Sequence, residues 1–210
     1  MKNLIIIGAG SYGREIYNLA MGCIGYGTDF TIKGFIDNLY EKIEQEGYPP
    51  ILGKVGDYLP SDNDVFICAL MDVDVKKKYI DTIMNKGGRF INLIHKTASI
   101  WQNTKIGKGC IICNNAQISC DIEIGDFVTL QPMAVLGHDV VVKDYCHLNA
   151  FSFLGGKVIV NEMVTINTGA IIHPGIEVGK HSIIGAGSVV LRNVKEGVTV
   201  FGNPAKIITF

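Results

Sequence analysis

An excess of charge of either sign is almost absent from this chain. Nineteen Lys and Arg meet twenty Asp and Glu in 210 residues, for a net charge of −1, so nothing electrostatic draws the protein to nucleic acid or to an anionic membrane. Long apolar runs are lacking too. The stretch Leu4 to Ile7 ends at Gly8, too short for a signal-peptide core or a membrane span, and this points to the cytoplasm. Of six cysteines, only Cys110 and Cys113 stand close together. No second CxxC and no paired His completes a tetrahedral site, so no bound metal is expected. The partners left are small molecules and further copies of the chain.

What is present is a beat of six. From Ile94 to Val190 every sixth residue is Ile, Leu or Val: Ile94, Ile100, Ile106 and onward through Leu136, Leu148, Leu154 and Ile172 to Val190. A period of six fits neither a helix nor a plain strand, so the chain must turn a corner between short extended pieces, as in a parallel β-helix. Three hexads make a triangular coil of eighteen residues, and successive coils stack at roughly 4.8 Å. The residue four places after each aliphatic one is small or β-branched, for example Ala134, Val140, Cys146 and Ser152, which suits a second inward position in a narrow prism. Cys110 and Cys146 share that position and are expected to be reduced core thiols. The residue directly after the aliphatic one is often Gly or Asn, as at Gly107, Gly137, Asn149 and Gly155. Tolerance of positive φ would suit these to sharp corners.

Ahead of the repeat, Asn3 to Gly8 reads as a strand, Gly8-Ala9-Gly10-Ser11-Tyr12-Gly13 as a GxGxxG loop, and Arg14 to Met21 as a helix. Such a loop lets the backbone approach a phosphate at a helix N-terminus. Equally, the glycines can serve only to seat helix on strand. Asp37 ends a second strand, Thr31 to Ile36, where an acidic side chain can reach a ribose or base; a third strand, Asp64 to Leu70, precedes a basic helix around Asp74 to Lys86. A full dinucleotide fold needs two such halves, and only one fits before residue 94. A nicotinamide dehydrogenase is therefore disfavoured, and one half can hold one nucleotide. The expected organisation is a half-Rossmann α/β domain over residues 1–92, an all-β solenoid over 93–196 and a C-terminal extension over 197–210.

The combination of Ile-Ile-Gly-Ala-Gly-Ser-Tyr-Gly, Phe-Ile-Asp, Ile-Asn-Leu-Ile-His-Lys-Thr-Ala and hexads ending in Gly202-Asn203-Pro204-Ala205-Lys206 resembles the hexapeptide-repeat sugar acetyltransferases of the bacillosamine, perosamine and sialic acid type. The resemblance implies a left-handed β-helix, a homotrimer, acetyl-CoA as co-substrate and a nucleotide sugar as acceptor. It also implies that His138 is the general base, that Asp139 orients it, and that His147 contacts acetyl-CoA from a neighbouring subunit. By the same carry-over, Gly156 supplies a backbone N–H to the thioester oxygen, and Thr168 and Ala186 line the CoA groove. Gly10, Ser11, Tyr12, Asp37 and Asn38 would line the nucleotide-sugar pocket. Leu70 stands where relatives carry glycine, with Lys76 where an Arg would fall, and so bears on which acceptor fits.

The expected reaction is acetylation of the 4-amino group of a nucleotide-linked sugar for surface glycan synthesis. Transfer to a sugar hydroxyl is the alternative, and a non-catalytic nucleotide-binding scaffold is a third reading. A γ-type carbonic anhydrase, which shares the solenoid, needs a His pair five residues apart. The spacings between successive His here, 43, 9, 26 and 8, do not provide one. His95, His173 and His181 are expected to be structural or solvent-facing.

Overall fold

The computed structural model describes residues 1–39 and 47–209 and divides into two compact units, Met1–Lys96 and Thr97–Phe210. In the first, apolar residues form a parallel sheet because strands covered on both faces must be apolar throughout. Its strands are β1 (Lys2–Ile7), β2 (Phe30–Ile36), β3 (Asp64–Cys68) and β4 (Arg89–Phe90), in the order β2-β1-β3-β4. Leu4, Ile5, Ile6 and Ile7 are all fully buried. Helix α1 (Ser11–Met21) presents Gly13, Ile16 and Ala20 to the core. Helix α2 (Val73–Met84) begins at Asp72, whose carboxylate accepts from the N–H groups of Asp74 and Val75 and so satisfies donors the first turn leaves unpaired. The order reverses at β1, with β2 on one side and β3 on the other. The glycine loop therefore lies at a topological switch point, the usual place for a ligand crevice in such sheets.

The second unit is the expected left-handed parallel β-helix, combined with the α/β half-Rossmann unit. Two-residue strands stack in three faces. One carries Gln117–Ile118, Val135–Leu136, Phe153–Leu154, Ile171–Ile172 and Val189–Val190; the next Glu123–Ile124, Val141–Val142, Ile159–Val160 and Glu177–Val178; the third Thr129–Leu130, His147–Leu148, Thr165–Ile166 and Ile183–Ile184. They are named below after Phe153, Ile159 and His147. Partners differ by eighteen residues, as in Val135 with Phe153 and Phe153 with Ile171, so the hexad register holds. The inward aliphatic column is buried from Ile112 to Val190, and so is the small column from Cys110 to Ser188. None of the six cysteines is in a disulfide, and Cys110 and Cys146 are fully buried. Beyond the last hexad, Thr199–Phe201 extends the His147 face by pairing with Ile183–Ile184, and Lys206–Ile208 adds to it antiparallel.

The corner geometry corrects one expectation. Positive φ does not fall on the Gly and Asn directly after each aliphatic residue. It falls two places later, at every sixth residue from Asn103 to Gly187, and includes Phe127, Met133, Asp139, Tyr145, Phe151 and Lys157. From Asp121 to Gly187 the left-handed conformation turns these N–H groups along the prism axis onto a carbonyl of the preceding coil, as Asp139 does to Cys120 and Lys157 to His138. That regular bond holds even bulky residues in a conformation costing roughly 1–2 kcal/mol each. The glycines directly after the aliphatic residues answer a different need, which is space between coils. A Cβ at Gly137 would lie 2.7 Å from the Gly156 nitrogen, and one at Gly155 2.6 Å from the ring of Pro174.

Candidate functional site

In the solenoid the site is built by the corner between the Phe153 and Ile159 faces. The turn after Leu136 carries Gly137, His138 and Asp139, and the left-handed backbone at Asp139 (φ 58) swings its carboxylate back onto the preceding residue. His138 Nδ1 and Asp139 Oδ2 lie 2.7 Å apart, with the two side chains 59% and 50% exposed. A carboxylate can only accept, so Nδ1 carries the proton and Nε2 of the neutral ring keeps a free lone pair. One coil further along the same corner stands Gly156, so close beneath the ring that a Cβ there would lie 2.5 Å from Nε2. Among the described residues, the Gly156 N–H has no hydrogen-bond acceptor. His138, Asp139 and Gly156 are thus brought together as an imidazole, the carboxylate bonded to it and a backbone N–H beside the ring.

His147 is not brought to them within one chain. It is fully buried on its own face, with Nε2 3.4 Å from the Gln131 side-chain nitrogen. That face lies opposite the corner bearing His138, because His138 sits between the two other faces. Thr168 and Ala186 are exposed at the equivalent turn of two successive coils, at the corner between the His147 and Phe153 faces. They are one face-width away from His138. The Phe153 face between the two corners is apolar on its outside over four consecutive coils, through Val135, Phe153, Ile171 and Val189. Phe153 and Ile171 are each 43% exposed.

The sequence reading missed a second feature of this unit. A hollow at its C-terminal end is lined by Arg192, Lys195 and Lys206 among apolar residues including Val190 and Pro204, with no acidic side chain in its lining. Arg192 follows Val190 as His138 follows Leu136, so it occupies the same corner three coils on. The register alone could have shown this, since 138 and 192 differ by three times eighteen.

In the first unit, Gly8 (φ +104) lies against the end of β3: a Cβ on it would meet the Ala69 carbonyl oxygen at 2.8 Å and Leu70 Cδ2 at 3.1 Å. Leu70 thus borders the glycine loop at the switch point. Asp37 is buried, and its two carboxylate oxygens accept from the N–H groups of Ala9 (2.7 Å) and Leu39 (2.8 Å), so it braces the loop. Asn38 Oδ1 accepts from the Val55 N–H at 2.9 Å. Gly10 is the N-cap of α1 and offers no side-chain cap, while Ser11 is exposed and Tyr12 partly so. Gly13 serves packing, as a Cβ there would meet the Gly8 carbonyl oxygen at 2.0 Å.

A half-Rossmann unit with a glycine loop at its switch point, joined in one chain to a β-helix with a His-Asp pair at a corner, defines a class. In sequence and fold the chain is similar to the hexapeptide-repeat sugar acetyltransferases. Residues 3–83 match the family described as the PglD N-terminal domain. Over 135 residues the chain is 28% identical to the GDP-perosamine N-acetyltransferase of Escherichia coli O157:H7, covering 63% of this chain and 61% of that protein. The chain thus spans about three-fifths of that relative's length. It superposes with a TM-score of 0.90 at 26% identity on a His-to-Asn mutant of perosamine N-acetyltransferase from Caulobacter crescentus in complex with CoA and GDP-perosamine, covering 100% of this chain and 98% of that one. The acetyltransferase domain of PglB from Neisseria gonorrhoeae in complex with acetyl coenzyme A matches equally, with a TM-score of 0.90, 26% identity and 99% coverage of both chains. Among the described residues no cluster of three metal-ligating side chains occurs and no helix is long and apolar enough to cross a membrane.

Proposed function

We propose that this protein is an acetyl-CoA-dependent acetyltransferase that acetylates the 4-amino group of a nucleotide-linked sugar for surface glycan synthesis. The observation that carries the reading is the 2.7 Å contact of His138 Nδ1 with Asp139, which leaves Nε2 as a lone pair at the corner. Nε2 takes the proton that the sugar amine loses as its nitrogen attacks the thioester carbonyl. A new C–N bond forms, the C–S bond breaks, and the proton passes from the imidazolium to the departing thiolate. An imidazole that can both accept and return a proton suits both transfers. The free Gly156 N–H is the donor for the oxygen on which negative charge develops.

Residues of this chain fit the rest of the co-substrate. Arg192, Lys195 and Lys206 offer cations to its phosphates, three coils or roughly 14 Å along the axis from His138, a span that an extended pantetheine arm covers. Thr168 and Ala186 line the same groove from the adjoining corner. In the first unit, Gly10, Ser11 and Tyr12 receive the sugar nucleotide, Asp37 and Asn38 shape the loop beside its base, and Leu70 narrows the crevice. The assembly is a homotrimer, a reading supported by the apolar Phe153 face and by the placement of His138 and His147 on opposite sides of one chain. The site of action is the cytoplasm, in keeping with six cysteines of which none is in a disulfide.

Incubation with acetyl-CoA and a panel of nucleotide 4-amino and 4-hydroxy sugars, following thiol release, tests the reading. Amino sugars are expected to be consumed and hydroxy sugars left. His138→Ala should lower turnover by roughly 10²-fold or more while acetyl-CoA still binds. Release with hydroxy sugars alone would assign O-acetylation instead, and no release with any acceptor would reject the enzyme.

A further inference from the structure

Gly156 is out of place for a reason that backbone conformation does not supply. Seventeen residues stand two places after the aliphatic ones, from Lys96 through Cys120, His138, Thr168 and Pro174 to Arg192. Only one of them, Gly156, is a glycine. Its φ is not positive, so any residue could adopt its backbone conformation. Nor does the backbone of a neighbouring coil crowd it most closely: the three nearest atoms to a Cβ at this position are His138 Nε2 at 2.5 Å, Cε1 at 2.7 Å and Cδ2 at 3.0 Å. Everything such a methyl would strike belongs to one imidazole.

Other glycines in the prism behave differently. Those at 107, 125, 137 and 179 make room for backbone or an aspartate of the next coil, and each removes a clash between coils. The absent side chain of Gly156 makes room only for the ring.

We propose that Gly156 is a positioning residue for His138. The imidazole rests in the space where every equivalent turn carries a side chain, held at one end by Asp139 and bounded beneath by the Gly156 Cα. Nε2 is the ring atom nearest to where a Gly156 Cβ would stand. Base and oxyanion donor are thereby placed within one turn height of each other by a single omission. With its side chain 59% exposed, His138 has room to swing, so a methyl at 156 displaces the ring and leaves the coil intact. The catalytic part of this assignment rests on His138 being the general base; the steric part does not.

The test is Gly156→Ala, alone and combined with His138→Ala, in the full-length protein. The backbone N–H survives this substitution, so its loss cannot explain an effect. In ¹⁵N spectra of labelled histidine, wild type should show His138 with a protonated Nδ1 and a free Nε2, and Gly156→Ala should shift both signals as the Asp139 contact breaks. Turnover should fall on the order of 10²-fold, the cost of a misplacement near 1 Å, with KM for acetyl-CoA little changed and the melting temperature retained. In the His138→Ala background the second substitution should cost nothing further, because it acts through the ring. Unchanged His138 ring signals, or turnover equal to wild type, would overturn the proposal. So would an undiminished loss in the His138→Ala background. If wild type transfers no acetyl group, the spectra alone decide whether Gly156 sets the ring, and the enzymatic reading fails separately.

Discussion

At the scale of single residues, two carboxylates show how differently the same group can be used. Asp139 is half exposed and tied to one imidazole nitrogen. Its replacement by Asn removes the charge that orients Nδ1–H, and turnover should fall by about 10- to 10²-fold while circular dichroism and melting stay as in wild type. Asp64 is buried at the start of β3. Burial by itself would raise its carboxyl, but the Ser61 N–H, Lys33 and Tyr58 outweigh that and hold it down to about 2. Because the folded value lies below the unfolded one, the contribution is full above about pH 5 and drains away as pH falls toward 2. Asp64→Asn should therefore cost about 2 kcal/mol at neutral pH in urea unfolding, and the difference from wild type should shrink on acidification. An undiminished difference at pH 3 would show that the network acts by shape alone. Asp139 was legible beside His138 in the sequence, though its left-handed backbone is what brings the carboxylate onto the ring, whereas Lys33, Tyr58 and Asp64 meet only through the sheet.

At the scale of elements, the coil is held by two kinds of special position, and their substitutions should fail in different ways. Gly179 lies where a Cβ would sit 2.5 Å from the Glu196 nitrogen, and backbone cannot yield cheaply. Gly179→Ala should cost roughly 1–3 kcal/mol through overpacking, seen as a lowered denaturation midpoint. Gly187 (φ +65) has nothing within reach of a Cβ, so Gly187→Ala meets only the left-handed penalty of about 1 kcal/mol. If the second loss exceeds the first, the division of labour described for the corners is wrong. The hexad period made the inward columns readable, since alternation of burial follows from the register. It did not show which turn residue would be left-handed: Phe127, Tyr145 and Phe151 carry no local signal for that conformation, and only the bond to the preceding coil selects it.

For the whole molecule, the decisive feature is that one chain places His138 on a corner and His147 on the opposite face. A groove that uses both must be made by two chains, with the exposed Phe153 and Ile171 at the join. Phe153→Glu should yield monomers in light scattering and lose turnover. Mixing is the sharper experiment. If the proposed trimer shares its site between chains, His138→Ala and His147→Ala proteins, each impaired alone, should regain part of the activity when refolded together, because a mixed assembly would pair an intact His138 of one chain with an intact His147 of another. No recovery would place both in a single chain's site, or remove His147 from it. The sequence by itself determined the solenoid, its register, the His-Asp pair and the glycine loop, because each is fixed by local spacing along the chain. Only the tertiary structure decided that Gly156 lies under the His138 ring, that Asp37 braces the loop, that Arg192, Lys195 and Lys206 share one hollow, and that His147 faces away. Those relations depend on how coils and strands distant in sequence are stacked, and spacing alone does not carry the direction in which a side chain points.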